Sequence, residues 1–162
     1  MRIDVMTKMR GVAPFPALWA RRTTMDLADG TRCEVMSLPD LVAAKKTQRD
    51  KDWPMVRRLI EAHYFQNREQ ASVAQVRFWF RELRTPELLT ECAAKWPAIW
   101  RAQTRRRRLL THARPGQERN LESALMAEER AERQADARYW EPLKAELEQL
   151  RHDRLKPRAD SR

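Results

Sequence analysis

The side chains in this sequence best suited to chemistry are cations. Arg105, Arg106, Arg107 and Arg108 form one run, Lys95, Arg101 and Arg114 flank it, and no acid occurs between Glu91 and Glu118. Such a group can hold phosphates, because each phosphate neutralised by a cation releases condensed counterions. Arg101 and Arg105 to Arg108 are therefore candidates for contact with RNA or with an acidic protein partner. They are equally suited to the acids Glu128, Glu129, Glu132 and Asp136 later in the same chain. Four consecutive arginines on a helix would spread around it, since each residue turns by about 100°. Phe78, Trp79, Phe80, Trp96 and Trp100 could stack on bases, but their spacing also suits packing between helices. Nucleophilic chemistry has no arrangement to support it. Ser37, Ser72 and Ser123 have local explanations, and His63 and His112 belong to no zinc pattern. Cys33 and Cys92 stand far apart, which excludes a disulfide framework and a Cys-only metal site. Three glycines leave no phosphate-cradling loop.

The 162 residues include 33 basic and 23 acidic side chains, a balance of +10. Residues 1–64 contribute +4, residues 65–116 +7 and residues 117–162 −1, so the excess sits in the middle of the chain. Arginine outnumbers lysine 26 to 7, a bias that a GC-rich genome produces as readily as a nucleic-acid ligand does. At 42% hydrophobic there is material for a core, and the length suits one domain or a small domain with a helical extension. No apolar run long enough to cross a membrane occurs, and no apolar leader follows Met1-Arg2-Ile3-Asp4. A cytoplasmic protein with reduced cysteines is expected.

These residues need positioning elements. Residues 2–6 read as a short strand, and Phe15, Leu18 and Trp19 as one helical turn after a proline-containing loop. Residues 23–36 read as a hairpin turning at Asp29-Gly30, a pair that tolerates the positive φ of tight turns. Ser37 caps a helix with Pro39 and Asp40 in its first turn. A charged link, Gln48 to Asp52, leads to a second helix starting near Pro54, with an expected apolar stripe of Met55, Val56, Leu59, Ile60 and His63. From about Glu69 only helix signals follow. Val73, Val76, Phe80 and Leu83 form one stripe, Thr85-Pro86-Glu87 and Trp96-Pro97 open two helices, and Arg114-Pro115-Gly116 breaks the chain. A long charged helix begins near Glu118, with a kink expected at Pro142, a stripe of Leu143, Leu147 and Leu150 beyond it, and a frayed tail after Lys156. The expected fold is α+β: a small mixed or antiparallel sheet at 2–36 packed on two helices at 38–64, then a basic helical region 65–115 and a charged helix 116–162.

The first 64 residues resemble the second half of a small bacterial nucleotidyltransferase domain of the polymerase-β-like type. Arg2-Ile3-Asp4-Val5 resembles that family's third-carboxylate strand, and Cys33-Glu34-Val35-Met36 the end of the strand pair after it. The ordered stretch Ser37-Leu38-Pro39-Asp40-Leu41-Val42-Ala43-Ala44-Lys45, continuing to Arg49, Lys51 and Asp52, is similar to the family's helix signature. The resemblance implies Mg²⁺-dependent transfer of a nucleotide from a nucleoside triphosphate to a hydroxyl. Asp4 would then be the third, catalytic metal ligand, and Lys45 and Arg49 would lie near the triphosphate. Read from the residues alone, Lys45 is equally a helix-surface lysine, and Arg49, Lys51 and Asp52 an ion network. Two Mg²⁺ ions need several hard oxygen ligands, and the family's Gly-Ser turn and Asp-x-Asp pair do not occur here. Asp50 and Asp52 have the spacing but not the turn. An incomplete domain, inactive alone, is therefore expected: a late-starting reading frame, a natural remnant, or a chain whose first half a partner supplies. The strand at 2–6 could then expose an edge for self-association.

Overall fold

The computed structural model describes residue 6 and residues 8–155. Residues 2–5 of the strand expected at 2–6, with Asp4, and the tail after Lys156 lie outside the described residues, and Met6 has no regular secondary structure. The fold is α+β, a mostly helical chain with a two-stranded antiparallel sheet among the described residues.

Helix α1 (Phe15–Ala20) begins on prolines, as expected. Strands β1 (Thr23–Asp26) and β2 (Arg32–Val35) pair antiparallel, with Thr23 opposite Val35 and Met25 opposite Cys33. The turn works as its residues dictate. Gly30 sits at φ +82°, the left-handed region that a side chain disfavours. The Thr31 amide donates to the Asp29 carboxylate at 2.9 Å. Every β1 residue is exposed, and on β2 only Cys33 and Val35 are half-buried. An ion pair from Arg21 to Asp40 (2.8 Å) ties this end of the chain to the first helix of the body.

That helix, α2 (Leu38–Lys45), is capped by Ser37, whose Oγ accepts from the Asp40 amide and donates to the Asp40 carboxylate at 2.6 Å. Helix α3 (Asp52–Asn67) follows, and its buried stripe differs in phase from the expected one. Trp53, Val56, Ile60 and Tyr64 face the core, Met55 is exposed, and Leu59 and His63 are half-buried. The helix carries apolar residues on more than one face, and the face bearing the two largest aromatics buries the most area. Helix α4 (Val73–Glu82) starts in a reciprocal capping box between Ser72 and Gln75. Helices α5 (Pro86–Lys95) and α6 (Pro97–Thr104) open on prolines, a 3-10 turn covers Arg108–His112, and α7 runs Glu118–Leu155. α7 continues as helix through Pro142. Residues 141–150 are all exposed, and so is Arg138, so the carbonyl that Pro142 leaves without a donor faces solvent.

One buried cluster joins Val42 on α2 to Leu125 on α7 through α3, α4, α5 and the 3-10 turn, with Ile99 and Trp100 of α6 packed against it, so the position 64/65 lies inside its span. At its centre Trp79 is fully buried. Its indole donates to His63 Nδ1 at 2.9 Å, and its ring meets Tyr64 edge-on at 4.9 Å between centroids. Phe78 and Phe80 are buried beside it. These aromatics are core rather than an open stacking platform. Past the body, α7 leaves Leu143, Leu147 and Leu150 exposed on one face. Among the described residues, no helix is long and apolar enough to cross a membrane.

Candidate functional site

The signature residues converge on the link between α2 and α3. Asp52 is 2% exposed and receives Thr47 Oγ1 at 2.5 Å and Arg49 Nε at 2.8 Å, with Lys45 Nζ at 3.8 Å. Burial pushes the Asp52 carboxyl up, but the hydrogen bonds from Thr47 and Arg49 outweigh it and hold the group below the usual range. The Trp53 indole donates to the Thr47 carbonyl at 2.8 Å and closes the link. Lys45 and Arg49, expected near a triphosphate, thus share one buried carboxylate.

Asp50 does not join Asp52. It is exposed and pairs with Arg133 of α7, so the Asp-x-Asp spacing does not make a shared site. Among the described residues, no three His, Cys, Asp or Glu side chains stand together as a metal site. Asp52, already matched by a lysine and an arginine, is a poor ligand for Mg²⁺. The described residues therefore do not fit the two-metal centre that the resemblance implies.

α7 holds the link from outside. The Gln48 amide donates to Asp136 Oδ2 at 2.8 Å. Arg10 reaches Asp136 at 3.3 Å, Glu132 at 2.9 Å and the Lys46 carbonyl at 2.9 Å. Lys46 in turn pairs with Glu82 of α4 at 2.6 Å. The acids flagged as possible intrachain partners for cations are used in this way, though mostly by cations other than the arginine run.

The run itself divides. α6 ends at Thr104 and the 3-10 turn starts at Arg108, so the four arginines straddle a junction instead of circling one helix. Arg107 turns inward. Its Nη1 donates to the carbonyls of Phe80 and Leu83, both at 2.9 Å, and its Nε and Nη2 grip Glu128 at 2.9 and 2.6 Å. Arg84, also buried, reaches the same carboxylate at 3.0 Å and lies over the Trp53 ring. Burial pushes the Glu128 carboxyl up, but the hydrogen bond and charge of Arg107, with the charge of Arg84, hold it below the usual range. Arg101, Arg105, Arg106 and Arg108 are exposed. Among the described residues they form no ion pair. The junction is fastened by the Trp100 indole, which donates to the Leu110 carbonyl at 2.8 Å, with Arg114 over the Trp100 ring.

The hairpin end carries a further feature that no local pattern encodes. A groove of about 570 Å³ runs beside the hairpin, lined by Met9, Phe15, Trp19, Val35, Met36 and Tyr139 among others. Phe15 and Trp19 were legible as one helical turn, but nothing in their spacing announces that Tyr139, far along the chain, completes the wall. Compared with known proteins, the chain matches no family model, no curated protein and no solved structure.

Proposed function

We propose that the chain is the later part of a nucleotidyltransferase-type fold. In this reading it serves transfer of a nucleotide from a nucleoside triphosphate to a hydroxyl in the cytoplasm, once a polypeptide bearing the paired carboxylates completes it. One observation carries the reading: a hairpin leads directly into the Ser37-capped helix, the charged link and α3, in the order of the family's elements, and a groove opens beside the hairpin among the described residues. A two-stranded sheet is marginal alone, and the outer edges of β1 and β2 have no strand partner among the described residues. The completing segment would add strands there and cover the groove. Lys45 and Arg49 would reach a triphosphate only by exchanging Asp52 for it.

The test begins with the DNA preceding the Met1 codon, which is expected to encode a Gly-Ser turn followed by Asp-x-Asp, in frame or in an adjoining frame. Co-expressed with that segment, the chain should transfer label from an α-labelled nucleoside triphosphate, and Asp4→Asn should abolish transfer. Absence of such a segment overturns the proposal, as does robust transfer by the isolated chain that survives Asp4→Ala.

A further inference from the structure

We propose a second, independent site: the outward side of the junction between α6 and the 3-10 turn binds the phosphate backbone of a double-stranded nucleic acid without reading its sequence. It uses none of the residues of the nucleotidyl-transfer reading.

The fold sorts the arginine run by role. Arg107 is spent inside, on two backbone carbonyls and Glu128. That anchor fixes the backbone from which its neighbours Arg105, Arg106 and Arg108 project into solvent. Arg101 and Arg105 are four residues apart, and Arg105 keeps helical backbone angles, so the two lie on one helix face. Like charges at that spacing repel, and the nearest stretch of chain offers no relief, because residues 92–117 contain no acid. The helix dipole favours a cation at the end of α6. It accounts for Arg105, and for neither the length of the run nor its outward projection. Arg81, also exposed, follows Phe80 on α4, whose carbonyl holds Arg107.

The ligand class follows from what is exposed. Guanidinium groups are planar forks that match phosphate oxygens in pairs. Recognition of single strands needs aromatic platforms for unstacked bases. Here Trp79 and Phe80 are buried, and Trp100 is half-buried, hydrogen-bonded to Leu110 and covered by Arg114. A surface of guanidiniums without free rings can grip the backbone of a duplex and has nothing with which to hold splayed bases.

The test uses the full chain and dye-labelled probes of equal length: an RNA duplex, a DNA duplex and a single-stranded RNA. Binding is read by fluorescence anisotropy. Four phosphate contacts give a log–log salt slope of about −3.6, so duplex affinity should fall roughly a hundredfold between about 50 and 200 mM salt. Replacing Arg101, Arg105, Arg106 and Arg108 together by Ala should remove most of the binding and flatten the slope. The control Arg57→Ala with Arg58→Ala, exposed on α3, should change little. Circular dichroism of both variants checks that the fold persists, since all six positions are exposed. The two duplex arms separate RNA from DNA as the source of the backbone. A salt-independent affinity, an unchanged quadruple variant, tighter binding of the single strand, or equal binding of polyglutamate, which marks an acidic protein surface, would each overturn the proposal.

Discussion

The two ends of this molecule handle apolar residues in opposite ways. In the helical body, Val56, Ile60, Tyr64, Trp79, Phe80, Leu89 and Leu121 have no exposed surface, and the buried cations Arg84 and Arg107 meet an acid. At the hairpin end, Phe15 is 69% exposed, and Trp19, Met25 and Leu27 are each close to half exposed. Both regions contain large apolar side chains, so composition does not separate them. The difference is closure. Each body helix lays its stripe against another helix, whereas among the described residues no second layer fully covers the two-stranded sheet. Stability should therefore reside in the body, and the hairpin end should respond to a partner.

The comparison can be broken most directly at Trp79. Trp79→Ala should destabilise the chain by about 3–5 kcal/mol, read as a shift of the urea midpoint, because it empties the centre of the cluster. Glu128→Ala should cost about 3 kcal/mol, since it leaves two guanidiniums buried without a counter-charge. A loss much smaller than this would mean that water reaches them. Next comes pH. Burial holds the His63 imidazolium disfavoured, so its folded pKa lies below the ordinary histidine value. Its Nδ1 must also stay unprotonated to accept from the Trp79 indole, which can only donate. The contribution of neutral His63 is complete above the ordinary histidine pKa and is lost as pH falls through the lower, folded one. The urea midpoint should thus fall between about pH 7.5 and 5.5, and His63→Asn, a non-titrating acceptor, should flatten that fall. The smallest effect belongs to the hairpin. Met25→Ala, on an exposed strand, should stay within about 0.5 kcal/mol. A larger loss would show that the hairpin is already packed against something.

Much of this layout was legible in the residues because local chemistry decides it. Asp29-Gly30 specifies the turn, Ser37 caps α2, and Gly116 at φ +80° precedes α7. Where local rules left a choice, tertiary packing made it. α3 offers two plausible stripes; Trp79 of α4 meets both, through His63 and Tyr64, and the one containing Trp53 and Tyr64 is the more deeply buried. Thr85 reads as a helix cap, but its hydroxyl turns to Glu61 instead. The groove and the inward turn of Arg107 depend on residues far apart in sequence, and no periodicity encodes those meetings. Asp4, on which the catalytic reading depends, lies outside the described residues.

The last stretch of α7 has a mechanical consequence. From residue 137 to residue 155 it extends roughly 28 Å at 1.5 Å per residue, beyond a bolt at Asp136 that clamps the Gln48 amide and Arg10. A load applied at the tip, along the row of leucines, is resolved at that bolt and at Lys144, whose ammonium donates to the Gln48 side chain at 3.1 Å. Gln48 directly follows Thr47, which holds Asp52. Whatever grasps the tip should therefore loosen or tighten the hold on Lys45 and Arg49 without coming near either.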